Sequence, residues 1–415
     1  MPLDDAEPLA DRRIPAGDDF LPREAVAALT PEELTRRIRE LAPMIAAHAA
    51  EAERLRRPVD EVWSALRASG FFYQFVPRVF GGMETDFDSF IDAGLEVSRA
   101  CASTGWVATF CAEHNWIVSF FPIETQKKLW LGDHPYIIAP CCSAPPGLAT
   151  PVDGGWRVSG RWKWGTGVMH ADWVMLNAIV PAKEGPPTVL MILAPAAQAR
   201  VIDTWHMDGM AGTGSNDIVL EDVFIPEGFA VASLARGGRP PAQRDHENPI
   251  YGVPLLPFLA MSASIPALGA LQSMLHSHRE RLSGHVRLGS ANAQGEKASA
   301  QIRLARADLA ARNAELLIRD AGHRMLKVPE MVEPQQTQAR LAIRAQVAYA
   351  VAMIRDTAVF LAEGAGSGVH MLDQAFQRNL RDILVVASHV AFDVDAAYEL
   401  HGRGLVGLPP NSLLN

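Results

Sequence analysis

The sequence predicts a mainly helical α+β protein in which a β-domain separates two helical blocks. Three patterns follow one another along the chain: helical periodicity, then strand alternation, then Ala-rich helical periodicity. We expect an N-terminal helical domain over 31–135, a central β-barrel-like domain over 136–240 and a C-terminal four-helix bundle over 241–400. Residues 1–30 are expected to be a flexible leader, and 401–415 a tail. This order excludes a doubly wound nucleotide-binding fold, in which strands and helices alternate.

The first block carries clear helix signals. Thr30 precedes Pro31 and two glutamates, an arrangement typical of an N-cap followed by the first helical turn. The segment 77–83 breaks the helical pattern with a proline and a Gly-Gly pair, and helical periodicity resumes around 87–99 and 104–121.

The second block changes to a period of two. Trp156, Val158, Trp162 and Trp164 alternate with polar residues, as expected for a strand with one apolar face. Further β-rich runs follow at 173–180, 189–193 and 218–225, with glycine-containing turns between them. Short strands at this spacing predict a compact β-domain.

The third block has the features of packed helices. Ile302, Leu309 and Leu316 recur at seven-residue spacing, and the run 341–361 is rich in alanine, which suits close packing in a bundle. The segment 235–254, between the second and third blocks, contains glycine, proline and charged residues and predicts a loop or lid.

Composition narrows the function classes. The 415 residues are 48% apolar with a formal net charge of −9, and basic residues do not cluster, which argues against nucleic acid or an anionic membrane as a partner. Apolar stretches are shorter than the roughly 20 residues of a membrane span, and the acidic N-terminus lacks a signal-peptide core. We therefore expect a cytoplasmic protein. The four cysteines lack metal-ligand spacing, so no metal and no structural disulfide are expected.

Several ordered motifs resemble the acyl-CoA dehydrogenase superfamily. Gly209-Met-Ala-Gly-Thr-Gly-Ser-Asn-Asp217, followed by Asp222-Val-Phe-Ile-Pro226, resembles its β-domain signature, and Phe376-Gln-Arg-Asn-Leu-Arg-Asp382 resembles its late Arg-Asp helix. Within that superfamily, the segment 162–173, His389 and the ending Gly402-Arg-Gly-Leu-Val-Gly-Leu-Pro409 resemble the oxygenase components of two-component, reduced-flavin monooxygenases.

This resemblance implies an activity, cofactors and partners. The expected reaction is hydroxylation of a phenolic or fused aromatic substrate by O₂ through a C4a-hydroperoxyflavin, with reduced FMN or reduced FAD as the cofactor. The Gly209–Gly214 loop is not a dinucleotide fingerprint and we find no NAD(P)H site, so a separate NAD(P)H:flavin reductase is expected to supply the reduced flavin. The superfamily habit implies a homotetramer.

His389 is the first candidate catalytic residue. If it lies on a helix, Val385, Val386 and Phe392 give it an apolar face, with Asp393 one turn later. That pattern alone fits a core histidine as well as a tuned base. Dehydrogenases of this fold can carry a glutamate at the matching position, and the hydroxylase branch carries a histidine that acts on the substrate phenol. A base titrating near 6.5 suits that task.

Three further residues are candidates by the same resemblance. His114 sits among apolar residues at helical spacing, where a core histidine is the alternative, and is expected to make a second polar contact to the substrate oxygen. Ser143 follows Cys141-Cys142 and is expected to contribute to catalysis and to flavin binding. Thr166 is expected to hold the N5 side of the flavin, although many relatives have serine there. A plain turn or surface hydroxyl is the alternative for both hydroxyls.

The remaining cofactor candidates are aromatic, glycine-rich or basic. Trp164, with Trp162 and Trp116, is a candidate wall for the flavin ring, against the commoner role of core tryptophans. The backbone N–H groups of the turn Gly364-Ala-Gly-Ser-Gly368 could receive a phosphate or a flavin edge, and the resemblance implies that Gly366 and Ser367 contact the flavin of a neighbouring subunit. Arg281 lies near the position where the resembling proteins carry a basic residue for the flavin phosphate. A plain turn remains the alternative.

Three other functions stay open from the sequence. In an acyl-CoA dehydrogenase the base would be Glu399, which lies too far past Arg381-Asp382 for that family's pattern. An oxygenase of the same fold could act on nitrogen or sulfur instead of carbon. A helical oligomer that only binds a hydrophobic ligand would not bind reduced flavin.

Overall fold

A computed structural model describes residues 7–8, 19–132, 134–182, 184–233, 246–284 and 293–412. The helices that precede the sheet are α1 (Arg23–Ala27), α2 (Pro31–Ala47), α3 (Ala49–Leu55), α4 (Asp60–Ser69), α5 (Phe87–Ala100), α6 (Ala102–Val118) and α7 (Ile123–Trp130). The helices that follow it are α8 (Leu255–Gly284), α9 (Ala298–Lys327), α10 (Gln335–Ala365), α11 (Ala375–Ala387) and α12 (Val394–Leu405). The predicted mainly helical α+β class with a central β-region is confirmed.

Local capping interactions set the start of the second N-terminal helix. Thr30 caps α2, because its hydroxyl accepts the Glu33 backbone N–H at 3.2 Å. The prediction of a flexible leader is wrong for its last residues. Helix α1 lies within the predicted leader. Val26 and Leu29 are buried in the core, because moving an apolar side chain out of water lowers the free energy of the folded chain.

The central strands form one sheet among the described residues. They are β1 (Glu7–Pro8), β2 (Cys141–Val152), β3 (Gly155–Trp162), β4 (Trp173–Val180), β5 (Thr188–Pro195), β6 (Arg200–Ile202), β7 (Asp217–Pro226) and β8 (Ala230–Ala232). The order is β1-β6-β7-β3-β2-β4-β5-β8, so the ladder is open at β1 and β8 rather than closed by hydrogen bonds as a barrel. The β2–β4 pair is parallel, and β2 is bulged between Cys142 and Gly147.

The C-terminal helices pack around α8. Contacts join α8 to α9, α10 and α11, and also to α5 and α6 of the first block, so one hydrophobic core runs through both helical regions. The windows Leu255–Ser283 and Gln335–Ala365 are long and apolar enough, by length and composition, to cross a membrane, but 83% of the first is buried inside the fold. That burial fits a core helix of a bundle.

The heptad pattern of α9 faces solvent in the single chain. Ile302, Leu309 and Leu316 are 66%, 61% and 64% exposed. Small residues make the buried face instead: Ala307, Ala311, Ala314 and Ala321, with Ile318. The seven-residue spacing therefore marks the exposed face of α9, and small side chains on the opposite face let the neighbouring helices approach closely.

Two predicted loops are more ordered than expected. Residues 234–245 of the predicted lid lie outside the described residues, but Ile250 and Tyr251 are buried, and the Ile250 carbonyl accepts the Trp116 indole N–H at 2.7 Å. The predicted tail begins late, since α12 continues to Leu405.

Candidate active site

A chain of buried hydroxyls lies where α6 meets the loops of the sheet. The Thr166 hydroxyl accepts the indole N–H of Trp106 at 3.2 Å and lies 2.9 Å from the Ser215 hydroxyl. Ser215 is in turn 2.9 Å from the Thr213 hydroxyl, which is 2.9 Å from the carbonyl oxygen of Met210. Trp106 and the three hydroxyl residues are each at most 7% exposed. Thr166 is thus placed by a continuous network and does not lie free in a turn.

The loop that carries Thr166 has an unusual backbone. Trp164 has φ 62°, and its side chain is 62% exposed at the end of β3. Only a few per cent of residues other than glycine adopt positive φ, and such residues often mark functional sites. Gly167 has φ 86°, and a Cβ there would lie 2.6 Å from the Cys111 sulfur, so only glycine fits against α6. The loop therefore leaves an indole at the surface beside the buried Thr166.

The Arg381-Asp382 pair fastens the loop that holds Thr213 and Ser215. The Asp382 carboxylate accepts the backbone N–H of Met210 at 2.5 Å. Arg381 donates to the Asp208 carbonyl and binds Glu53 at 2.6 Å. A Cβ on Gly209 would lie 2.4 Å from the Arg381 carbonyl oxygen, so the loop needs glycine to approach α11. Two motifs that are distant in the sequence thus form one structural unit.

A row of aromatic rings leads from His389 to His114. Trp106 stacks on Phe110 with ring centroids 4.5 Å apart and planes 21° apart. The His389 ring meets the Trp106 ring edge-on at 5.5 Å, and the His114 ring meets Phe110 edge-on at 5.7 Å. Trp106, Phe110 and His114 recur every four residues on α6, so they share one face of the helix. The row is an apolar wall with an imidazole at each end.

His389 lies between two helices rather than within one. Helix α11 ends at Ala387, and His389 caps a short turn by accepting the Ala391 backbone N–H on Nδ1 at 3.3 Å. This corrects the helical environment assumed from the sequence. Because Nδ1 accepts, the neutral ring carries its proton on Nε2. Surrounding protein lowers the pKa of His389 to about 4, below the expected 6.5, although the residue as a whole remains exposed.

His114 has the opposite tautomer. Its Nδ1 lies 2.6 Å from the Ala139 carbonyl oxygen. A carbonyl only accepts, so Nδ1 carries the proton and Nε2 keeps a lone pair. Burial lowers the pKa of His114 to about 4, which keeps the ring neutral at physiological pH. The two histidines therefore offer different groups: a hydrogen-bond acceptor at His114 and a donor at His389.

Glu113, next to His114, is a buried carboxyl that the sequence reasoning missed. The residue is fully buried, and burial raises the pKa of its carboxyl well above its usual value. The nearby Ser262 hydroxyl offsets only part of that shift. Burial therefore favours the protonated, neutral form of the Glu113 carboxyl.

The other predicted site residues are dispersed. Ser143 is exposed at the start of the β2 bulge, four residues after the Ala139 that binds His114. The turn with Gly366 and Ser367 is exposed at the end of α10, and Arg281 lies beside it, 3.4 Å from where a Cβ on Gly368 would be. Within the described residues none of these groups forms a hydrogen bond with Thr166 or His389.

Two of the three tryptophans proposed to wall the flavin are core residues. Trp162 and Trp116 are fully buried, and their indole N–H groups donate to the carbonyls of Asn177 and Ile250. Of the three, Trp164 alone is exposed. All four cysteines are free thiols, and the described residues contain no cluster suited to a metal ion.

Sequence reasoning also missed Trp106, Phe110, Thr213 and Ser215. A usable signal existed for the first two, which precede His114 by eight and four residues on one helix face. The role of the two hydroxyls gave no local signal, because their partner Thr166 belongs to a different segment.

Comparisons with known proteins identify the family of the chain. Residues 30–134 match the acyl-CoA dehydrogenase N-terminal domain, and residues 261–394 match the acyl-CoA dehydrogenase C-terminal domain. A pigment production hydroxylase from a Rhodococcus species is 34% identical over 92% of this chain and 98% of its own length. The oxygenase component of an FADH₂-dependent resorcinol hydroxylase from a Rhizobium species is 31% identical over 91% of this chain and 95% of its own.

Solved structures give the same result. The 3-HSA hydroxylase from a Rhodococcus species has a TM-score of 0.85 at 29% identity, covering 92% of this chain and 99% of its own. XiaF from a Streptomyces species, in complex with FADH₂ and glycerol, has a TM-score of 0.86 at 28% identity, covering 94% and 98%. The chain belongs to the oxygenase components of two-component, flavin-dependent aromatic hydroxylases with an acyl-CoA dehydrogenase-like fold.

This membership favours the monooxygenase over the alternatives left open by the sequence. The chain is a flavin-dependent monooxygenase that uses reduced flavin. The structure adds that Glu399, the carboxylate considered for a dehydrogenase, is exposed on α12, where it accepts the Asn411 side-chain N–H at 2.7 Å.

Proposed function

We propose that the chain hydroxylates a phenolic or fused aromatic substrate with O₂, using reduced flavin from a separate NAD(P)H:flavin reductase. The observation that carries the proposal is the stacked Trp106–Phe110 wall, with an imidazole at each end and the Thr166 hydroxyl behind it. Stacked aromatic walls favour planar ring substrates. Several relatives are named as oxygenase components, which supports a reductase partner. We place the reaction in the cytoplasm, where NAD(P)H is available.

The two histidines act on the oxygen substituents of the substrate. A phenol has a pKa near 10, so little of it is the nucleophilic phenolate at neutral pH. His114 Nε2 accepts a hydrogen bond from a substrate hydroxyl and is the resident proton acceptor. His389 donates Nε2–H and stabilises the oxygen as it gains negative charge. For His389 itself to take the proton on Nε2, the ring would first change tautomer and lose its Ala391 bond. Ser143 is proposed as an additional hydroxyl at the edge of the site.

Thr166 and Trp164 are proposed to hold the flavin. Thr166 follows Trp164 by two residues in the same loop, and its backbone N–H donates to the Trp164 carbonyl at 2.9 Å. The hydroxyl is buried and the Trp164 indole is exposed, so one loop carries both a polar atom and a stacking surface. Bound reduced flavin supplies the two electrons and, with O₂, the oxygen atom that is transferred. The protein's part is to orient the substrate ring, exclude water and manage the proton at the substrate oxygen.

FAD fits the basic groups of the chain better than FMN. Arg281 lies near the buried His278 and Arg303, and Arg303 packs on Phe360 at 4.1 Å. This cluster borders the exposed Gly366–Ser367 turn and suits the diphosphate of FAD. Two relatives are described with FADH₂, which agrees with this choice. Arg281→Gln should weaken binding of reduced FAD and leave reduced FMN less affected.

A homotetramer would bring that turn to a neighbouring subunit's flavin. The exposed stripe Ile302, Leu309 and Leu316, together with a groove of about 440 Å³ lined by Tyr349, Tyr398 and Met353, is an apolar surface of the kind that oligomers cover. Light scattering at several protein concentrations tests this assembly.

The experiment that tests the proposed function compares oxygen use with product formation. Wild-type protein, reduced FAD and a panel of phenols are mixed with O₂, and hydroxylated product and H₂O₂ are quantified. His389→Ala should lower product formation by on the order of 100-fold while oxygen is still consumed and released as H₂O₂. The loss should be larger at pH 6 than at pH 9, where phenolate is more abundant. Failure of the wild-type chain to bind any reduced flavin would reject the proposal.

A second variant distinguishes the role of His389. Asparagine can donate a hydrogen bond but cannot act as a base. His389→Asn should therefore retain several-fold more product formation than His389→Ala if His389 is a donor. Equal losses in the two variants would favour His389 as the proton acceptor.

A further inference from the structure

The hydroxyls of Thr166, Ser215 and Thr213 form a buried relay between one obligate donor and one obligate acceptor. At its start, the Trp106 indole N–H donates to Thr166 at 3.2 Å. At its end, the Thr213 hydroxyl lies 2.9 Å from the carbonyl oxygen of Met210. An indole N–H cannot accept and a carbonyl cannot donate, so the two ends constrain the hydroxyls between them.

Counting hydrogens gives the relay a direction. Each hydroxyl has one hydrogen to donate. All three find a protein acceptor only when Thr166 donates to Ser215, Ser215 to Thr213, and Thr213 to the Met210 carbonyl. In the reverse direction the Thr166 hydrogen has no acceptor in the relay. The Met210 carbonyl would keep its other donors, the Trp205 indole at 2.9 Å and the Thr213 backbone N–H at 3.1 Å, but would lose the hydroxyl.

The direction leaves Thr166 with a lone pair and no free hydrogen. Its oxygen accepts from Trp106 and donates to Ser215, so any ligand atom that meets its remaining lone pair must be a donor. Reduced isoalloxazine carries a hydrogen on N5, whereas oxidised isoalloxazine presents a lone pair there. We infer that the relay makes Thr166 a selective acceptor for the N5–H of reduced flavin. This inference rests on the proposed placement of flavin N5 at Thr166.

The relay should also lower the affinity of the site for oxidised flavin. To donate to a lone pair on N5, Thr166 must turn its hydrogen outward, which breaks its hydrogen bond to Ser215. If Ser215 turns to donate to Thr166 instead, the hydrogen bond from Ser215 to Thr213 is lost, and if Thr213 turns as well, the hydrogen bond to the Met210 carbonyl is lost, so every arrangement has one hydrogen bond fewer in the relay. The relay thus links the redox state of the flavin to the hydrogen bonds of Ser215 and Thr213, and it favours capture of reduced flavin and release of the oxidised form.

The test breaks the end of the relay without touching the flavin contact. Thr213→Val removes the hydroxyl with little change in shape, and Thr213→Ser is the matched control that keeps it. Dissociation constants for oxidised FAD are measured aerobically by fluorescence, and those for reduced FAD by anaerobic titration. Thr213→Val should bind oxidised FAD about 3- to 10-fold more tightly than wild type, the effect of one net hydrogen bond. Reduced FAD should change much less, and Thr213→Ser should match wild type.

A second variant protects the test against a folding defect. Ser215→Ala frees the Thr166 hydrogen directly, so it should tighten oxidised FAD in the same way. Unchanged ratios of the two dissociation constants in folded Thr213→Val or Ser215→Ala protein would overturn the inference. If the wild-type chain binds neither redox state, the proposed function fails instead, so the two failures are distinguishable.

Discussion

The interior site, made of the buried network around Trp106 and Thr166, and the outer face of the C-terminal bundle are built in opposite ways. In the interior site, Trp106, Thr166, Ser215 and Thr213 are buried and each makes a hydrogen bond to another group of the same chain. On the outer face, Ile302, Leu309 and Leu316 of α9 are exposed, while the opposite face of that helix is buried through several alanines. The hydroxyl network is therefore complete within one chain, whereas the outer face buries its apolar area only when another surface covers it.

The comparison shows that polar and apolar residues of this chain find their partners in different ways. Polar groups in the interior site need partners at fixed distances, so the chain supplies them itself. Apolar groups on the outer face need only a complementary surface, which a second copy can provide. Substitutions in the interior site should change chemistry, redox preference and pH dependence, and substitutions on the outer face should change assembly first.

The largest expected effect is on assembly. Leu309→Glu places a charge in the exposed stripe of α9. Removing one buried leucine costs about 2–3 kcal/mol, and burying the charge costs more, so the dissociation constant of the oligomer should rise by at least about 100-fold. Sedimentation velocity measures this change. Glu61→Lys, an exposed charge reversal on α4, is the control. A wild-type chain that is already monomeric would contradict the prediction.

The next effect concerns the attachment of the Met210–Ser215 loop. Asp382→Ala leaves the buried Met210 N–H without its acceptor, which should lower the free energy of unfolding by about 2–3 kcal/mol. Asp382→Asn keeps an acceptor oxygen and should lose less. Urea denaturation followed by circular dichroism gives both values. A stability for Asp382→Ala within about 0.5 kcal/mol of wild type would show that the loop is held by other contacts.

His114 should make the protein sensitive to acid. Its pKa is lowered from 6.5 to about 4 in the folded chain, so the unfolded chain binds more protons between those values. The stability that depends on neutral His114 is present above pH 6.5 and is lost as pH falls toward 4, by at most about 3 kcal/mol. His114→Asn retains an N–H donor for Ala139 and should flatten this part of the stability curve. The test compares unfolding free energies at pH 7 and pH 5, and equal slopes in both proteins would contradict it.

Glu113 should give the smallest effect, with the opposite sign. Its pKa is raised in the folded chain, so its stabilising neutral form is fully present below the unfolded pKa and is lost as pH rises through the folded pKa. Glu113→Gln mimics the neutral carboxyl and should differ from wild type by less than about 1 kcal/mol at pH 4, where the carboxyl of the unfolded chain is also largely protonated. At pH 9 the variant should be the more stable protein in thermal unfolding. A large loss at pH 4 would mean that Glu113 is ionised in the folded chain.

Much of the fold could be predicted from local sequence patterns. The N-cap at Thr30, the strand alternation around Trp156 and the three-block order each depend on near neighbours, and all appear in the structure. His389 and Thr166 could be named only through resemblance to a family. The structure shows where these two side chains lie, and their roles in catalysis and flavin binding are proposals.

The tertiary structure decided which residues meet and which atoms they present. Trp106 and Thr166 are 60 positions apart, and their bond exists only because α6 packs against the end of β3. The tautomers of His114 and His389 follow from single backbone groups, the Ala139 carbonyl and the Ala391 N–H, which no pattern in the sequence identifies. The sequence by itself determined the three-block order and the start of α2 at Thr30, because those signals are local. Packing between distant segments decides the direction of the hydrogen bonds, the face of each helix that is buried and the histidine tautomers. Only the folded chain brings those segments together.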